Sequence, residues 1–273
     1  MSKQEFNNVR EKYADKIAKL LRKAESTTPE EAETCLRMAQ NLMTKWGIDE
    51  AMLEAARGLS VDEIVTEEIV LTGGFRVALG ELAMYVIHFN GGKAVLIENS
   101  PREVDGKVRK QTYILRVHAF KSDLERIRIL NTSLQLQAMT SQNRWWKENR
   151  HLYFDKREEF LGRRQFIFSF ARSAGTKIKE ATERGREQAI KDRAKESGES
   201  VEATGTSVEL VLVDRKTQLE RWYDEEYGDT LRTSRARSQR AGDRYAHAAG
   251  TEAGRNADVG QPGVGGGRKG LPS

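Results

Sequence analysis

The stretch from Ala14 to Asp49 constrains the fold most, because its apolar spacing, start signal and stop signal all specify two helices and the turn between them. Tyr13, Ile17, Leu20, Leu21 and Ala24 recur at helical spacing, so one stripe is apolar while Lys16, Lys19, Arg22 and Lys23 face elsewhere. The second helix opens at Thr28-Pro29-Glu30-Glu31. Thr28 can accept from the backbone N–H of Glu31, Pro29 sits where no N–H partner is needed, and Glu31 can reach back. Ala32, Cys35, Leu36, Ala39, Leu42, Met43 and Trp46 mark the buried face, and Gly47 supplies the left-handed residue that ends the helix. Asp49 can cap a third short helix, with Ile48 and Leu53 as a hydrophobic staple.

Ile17-x-x-Leu20-Leu21-x-x-Ala24-Glu25, and the run from Glu31-Ala32 to Leu42-Met43 with Gly47-Ile48, resemble the domain-of-unknown-function 2786 family. That family is a short helical domain at the N-terminus of phage, prophage and actinobacterial proteins. Val211-Leu212-Val213-Asp214-Arg215 and the segment from Ala248-Ala249-Gly250 to Ala257-Asp258 resemble the C-terminal part often joined to it. The resemblance implies an N-terminal helical module and a phage setting. It transfers no activity and no catalytic residues.

Composition narrows the class. With 32% charged and 7% aromatic residues the chain reads as polar and helix-biased. No run approaches the roughly 20 apolar residues of a membrane span, and MSKQEFNNVREKY lacks the apolar core of a signal peptide. The expectation is a cytoplasmic protein without a membrane partner, in the host cytoplasm if phage-encoded. Cys35 is the single cysteine, so no internal disulfide forms, and its place on an apolar stripe makes it a buried small hydrophobe. Residues 231–273 hold eight basic and three acidic side chains and so carry the whole net charge of +5, leaving residues 1–230 balanced.

The expected fold is α+β: an N-terminal helical module over 1–58, an α+β body over 59–230, and a basic, Gly/Ala-rich extension over 231–273 with a disordered tail from 260. In the body, Val61–Leu71 and Lys93–Glu98 read as strands, with a helix through Phe75–Ile87 between them. Asn99–Lys107 reads as a turn, and Val108–Ala119 as the antiparallel partner strand. Ser122-Asp123-Leu124-Glu125 is a capping box opening a long helix, and a second runs from Phe160 to about Ala194, with periodicity broken at His151–Asp155. A short connection predicts that the two pack antiparallel on one another. Gly198–Gly205 reads as a polar linker, Ser207–Asp214 as a late strand, and Leu219, Trp222 and Tyr223 as a short helix. Gly242–Ala257 can form a close-packed helix at a glycine cost of roughly 1 kcal/mol each.

No motif announces catalysis. Gly263–Gly270 is glycine-rich, but neither a strand nor a helix flanks it as a phosphate cradle requires. His88, His118, His151 and His247 are scattered, so no metal site and no cofactor are expected. Two segments do point to a polyanion. From Arg144 to Arg172 the aromatics Trp145, Trp146, Tyr153, Phe154, Phe166 and Phe168 alternate with arginines and lysines, a pattern for base stacking with phosphate contacts. The same residues also fit a packed helical hairpin with a solvated face. Arg232, Arg235, Arg237, Arg240 and Arg244 form the second segment, and guanidinium groups suit bidentate phosphate contact. The expected function is a non-enzymatic accessory protein with weak, sequence-independent association with DNA or RNA. One alternative is an enzyme assembled from dispersed residues such as His118, Asp123 and Asp214; another is a module binding a host protein through the N-terminal helices.

Overall fold

The computed structural model describes residues 63–98, 112–230 and 242–259, the backbone of 103–104 and 107–108, and six helical positions near the N-terminus, Lys16, Lys19, Leu20, Lys23, Met38 and Leu42. The capping and staple expectations for the N-terminal module, and the tail from 260, lie outside the described residues. Leu20 and Leu42 are half-buried while Lys16, Lys19 and Lys23 are exposed, as the apolar stripe requires.

The body is α+β. Strand β1 (Ile64–Thr72) leads through Gly73 into helix α1 (Arg76–Phe89). The stop signal read at Asn90-Gly91-Gly92 has a specific geometry. Gly91 takes φ +83, which lets its N–H reach His88 O at 3.4 Å while the Gly92 N–H reaches Ile87 O at 2.9 Å. These two bonds satisfy carbonyls the helix end would otherwise leave bare. Strand β2 (Lys93–Glu98) follows, then a small hairpin of β3 (Glu103–Val104) and β4 (Lys107–Val108), then β5 (Thr112–Phe120). The sheet order is β1-β5-β2, antiparallel throughout, with β5 in the middle and a register shift between Leu96 and Glu98.

Alternation along β5 separates two faces. Leu115, Val117 and Ala119 point into the core against Leu82, Val86 and Ile87 of α1, while Arg116 and His118 point the other way. Helix α2 (Lys121–Asn149) closes that core with Leu124, Ile127, Leu130, Leu134 and Ala138, at the spacing read in the sequence. Its start differs from the expected capping box. Phe120 is the N-cap and offers no side-chain bond, whereas Ser122 and Asp123 are buried. Asp123 instead pairs with Arg126 and, at 3.3 Å, with Arg215, whose guanidinium lies 3.8 Å over the Phe120 ring. The Ser122 hydroxyl, the cap of the expected box, accepts from Arg215 at 3.4 Å.

Helix α3 (Lys156–Ser197) is about 60 Å long. Asp155 caps it, accepting from the N–H groups of Arg157 and Glu158 at 2.7 and 2.8 Å, and Gly198 ends it at φ +73. Its buried face packs on α1 and on α5 more than on α2, which corrects the expected hairpin partner. Phe160 stands 37% exposed and stacks on Phe75 with ring centroids 5.6 Å apart.

The late strand is overturned. Ser207–Asp214 belongs to helix α4 (Val201–Tyr227), capped by Ser200, and Val201–Gly205 is its first turn rather than linker. Thr204, Val208, Arg215 and Leu219 recur on one helical face and are buried there. A run of β-branched residues suits a strand locally, but burial along this stripe overrides that preference. The N-terminal half of α4 packs Val208 and Leu212 against Ala189 and Ile190 of α3, and the C-terminal half covers the outer face of the sheet around His118.

Helix α5 (Arg244–Arg255) confirms the close-packed reading of the Gly/Ala segment. A Cβ on Gly250 would stand 2.2 Å from Phe166 O, and one on Gly254 2.5 Å from Phe170 O. With Ala246 they form a small-residue face that lets the α5 and α3 backbones nearly touch. Beyond it Ala257 and Val259 enter the main core. The Gln137 amide brackets Asp258, accepting from its N–H at 2.8 Å and donating to its carbonyl at 3.0 Å.

Candidate nucleic-acid interface

The joint between α2 and α3 gathers most of the aromatic and basic residues singled out in the sequence. A short 3-10 turn, Arg150–Leu152, breaks the helical path, and the Tyr153 N–H bonds to Arg150 O at 3.3 Å. The Tyr153 ring then inserts among Trp145, at 6.1 Å and edge-on, Trp146, at 5.1 Å, and the backbone of Gly162, where a Cβ would meet the ring at 2.6 Å. Trp145 also packs on Phe166 at 5.3 Å and faces a groove between α2, α3 and α5. Trp146 faces a different cleft of about 610 Å³, lined also by Arg150, His151, Tyr153, Phe154, Asp155, Lys156 and Glu159.

Several cations of this region are structural. Arg163 lies between the rings of Phe75 and Trp146, at 5.3 and 5.5 Å, and bonds Glu159 at 3.2 Å and Asn143 at 3.1 Å. Arg164 sits 5.5 Å over Phe168. The acids of the cleft are likewise engaged, Asp155 as the cap of α3 and Glu159 with Arg163. Phe154 is 95% exposed, at the cleft mouth, between Tyr153 and the helix cap. Among the described residues, Arg150 and Lys156 form no ion pair.

The described end of the second charged segment, at Arg244, lies at the same place. Tyr153 OH donates to Asp243, which caps α5 by accepting from the N–H groups of Tyr245 and Ala246 at 2.9 and 3.1 Å. Burial first, and then the Asp243 carboxylate, push the Tyr153 hydroxyl well above its ordinary value, so it stays a donor. Arg244, the first residue of α5, is exposed beside this bond, while Arg232, Arg235, Arg237 and Arg240 lie outside the described residues. The arginine run therefore ends at a residue tied to the aromatic joint. Neither Asp243 nor the Tyr153 hydroxyl stood out in the sequence. The only signal was the broken periodicity at His151–Asp155 and the Asp just before a Gly/Ala helix.

The residues of the enzyme alternative do not form one constellation. His118 is buried on the outer face of β5, with Nδ1 2.9 Å from Thr66 Oγ1 and Nε2 2.8 Å from Tyr227 OH, under the Trp222 ring at 4.8 Å. Burial, then Arg116, hold its pKa below the ordinary value, against a smaller opposing effect of Glu226. Asp123 is held by arginines, and Asp214 is exposed and accepts from Gln218 at 2.7 Å. His88 and His151 are exposed on separate elements, and among the described residues no three His, Cys, Asp or Glu side chains gather as metal ligands. Among them too, no helix is long and apolar enough to cross a membrane.

Residues 12–50 match the family model described as protein of unknown function (DUF2786). This segment is a DUF2786 domain. Leu20 and Leu42, the half-buried positions described within it, fall inside the DUF2786 match, while the α2–α3 joint and α5 lie well outside it. No curated protein and no solved structure matches the chain.

Proposed function

We propose that the protein associates with nucleic acid, without sequence preference, through one composite surface made of the α2–α3 joint and the arginine segment 232–244. The carrying observation is the Tyr153–Asp243 hydrogen bond, because it ties the end of the arginine run to the aromatic–basic cleft. Arg150, Lys156 and Arg244 supply phosphate contacts at the anchored end, and Arg232, Arg235, Arg237 and Arg240 extend the charge along the chain. Base-edge readout needs several donors and acceptors presented together to one groove, and a cleft lined by aromatics and point charges offers little of that. The proposed class is therefore a non-enzymatic accessory protein acting on a polyanion, in keeping with the phage setting that the resemblance implies.

Fluorescence anisotropy with labelled DNA and RNA tests this reading. Binding is expected to weaken with salt at a log–log slope of about −3 to −5 if most of the five arginines engage. The variant that removes Arg232, Arg235, Arg237 and Arg240 by alanine substitution should lose most of that slope. Substitution serves better than truncation at 231, since α5 and Val259 pack into the body. No measurable binding at low salt would overturn the proposal.

A further inference from the structure

We infer that the cleft beside Phe154 receives an unstacked base of a single-stranded nucleic acid, with the Phe154 ring as the stacking surface and Arg150 and Lys156 as its flanking phosphate contacts. This rests on the nucleic-acid reading above and narrows its ligand to one class. The backbone around Phe154 is held on both sides. Its N–H donates to Glu158 Oε2 at 3.2 Å, the preceding Tyr153 is tied to Asp243, and the following Asp155 caps α3. Only the ring is left out, 95% exposed. An exposed phenyl ring on a backbone fixed at both sides, at the mouth of an aromatic-lined cleft, presents a preorganised face for stacking.

Its surroundings specify what can cover it. The cleft wall is aromatic, with Trp146 and Tyr153 in ring contact at 5.1 Å, and the rim carries Arg150, His151 and Lys156 beside Asp155, whose carboxylate is turned to the helix cap, and Glu159, which is paired with Arg163. An apolar flat surface beside cations matches a nucleotide, which joins a π-face to a phosphate. It does not match a duplex. In double-stranded DNA the base faces are covered by their neighbours, so only groove edges and phosphates are offered. A duplex can hold to the arginines but leaves Phe154 unused.

Anisotropy titrations of a labelled oligothymidylate and a matched duplex, with the intact chain and with Phe154→Ala, Phe154→Trp and the quadruple arginine variant, test this. Phe154→Ala should weaken single-strand binding about fivefold or more and leave duplex binding unchanged, and Phe154→Trp should retain it. Phe154 is exposed, so its substitutions should leave the fold intact, and circular dichroism checks this for every variant. Equal single-strand affinity for the intact chain and Phe154→Ala would overturn the inference, while loss in the arginine variant would leave the broader reading standing. Absence of binding to either probe by the intact chain would overturn both.

Discussion

Tyr153 donates its hydroxyl hydrogen to Asp243, 90 residues away, and the same carboxylate caps the helix that follows. One acid thus joins the end of the arginine run to the bend between the two longest helices. Tyr153→Phe should cost about 1.5–3 kcal/mol, the range for a hydrogen bond to a charged group. Asp243→Ala should cost more, because it also removes the cap of α5, worth about 0.5–2 kcal/mol. Urea denaturation of both variants checks the order; equal stability of Tyr153→Phe and the parent would show that the bond contributes nothing.

Gly250 and Gly254 should tolerate no methyl group. Alanine gains about 1 kcal/mol of helix propensity, but a Cβ 2.2 Å from Phe166 O meets backbone that cannot swing aside. A net loss of about 1–3 kcal/mol is expected for Gly250→Ala, as for other overpacked sites. Gly205 in α4 is the control, since its nearest neighbour would be 3.7 Å away. Gly205→Ala should stabilise by up to about 1 kcal/mol, and thermal denaturation reads both signs.

Stability should fall on acidification through the His118 titration. Its pKa is depressed in the folded state by burial, so below about 6.5 the unfolded chain binds a proton that the folded chain resists. The contribution is fully present above the unfolded value and is lost as pH drops from there toward the folded value, with a slope of at most about 1.4 kcal/mol per pH unit. Arg116 adds to the depression and Glu226 opposes it. Denaturation midpoints at pH 7.5 and 5.5, compared with those of His118→Gln, isolate this residue; parallel pH profiles would refute it.

Much of the fold was legible because periodicity and punctuation agreed. β1, α1, β2 and the cores of α2 and α3 stand within a few residues of where the apolar spacing places them. Val208 to Val213 misled because a β-branched run has no period of its own. Only the longer stripe from Thr204 to Leu219, visible once Ser200 is recognised as a cap, identifies a helix. Ser122 misled for another reason: its spacing to Glu125 reads as a capping box in sequence, but Ser122 is buried and accepts from Arg215, 93 residues away. At the site, the residue types were readable but not their division of labour. Arg163 and Trp145 are consumed by packing, while Phe154 is not, and that difference depends on tertiary contacts alone.

The central claim is that the arginine segment and the α2–α3 cleft act as one surface. The direct measurement is the salt dependence of oligonucleotide binding by a chain with all its arginine-segment residues intact but carrying Arg150→Ala and Lys156→Ala. One surface predicts weaker binding and a log–log slope smaller in magnitude by about 1 to 2, two phosphate contacts having been removed. An unchanged affinity and slope would place the cleft outside the binding site and contradict the account.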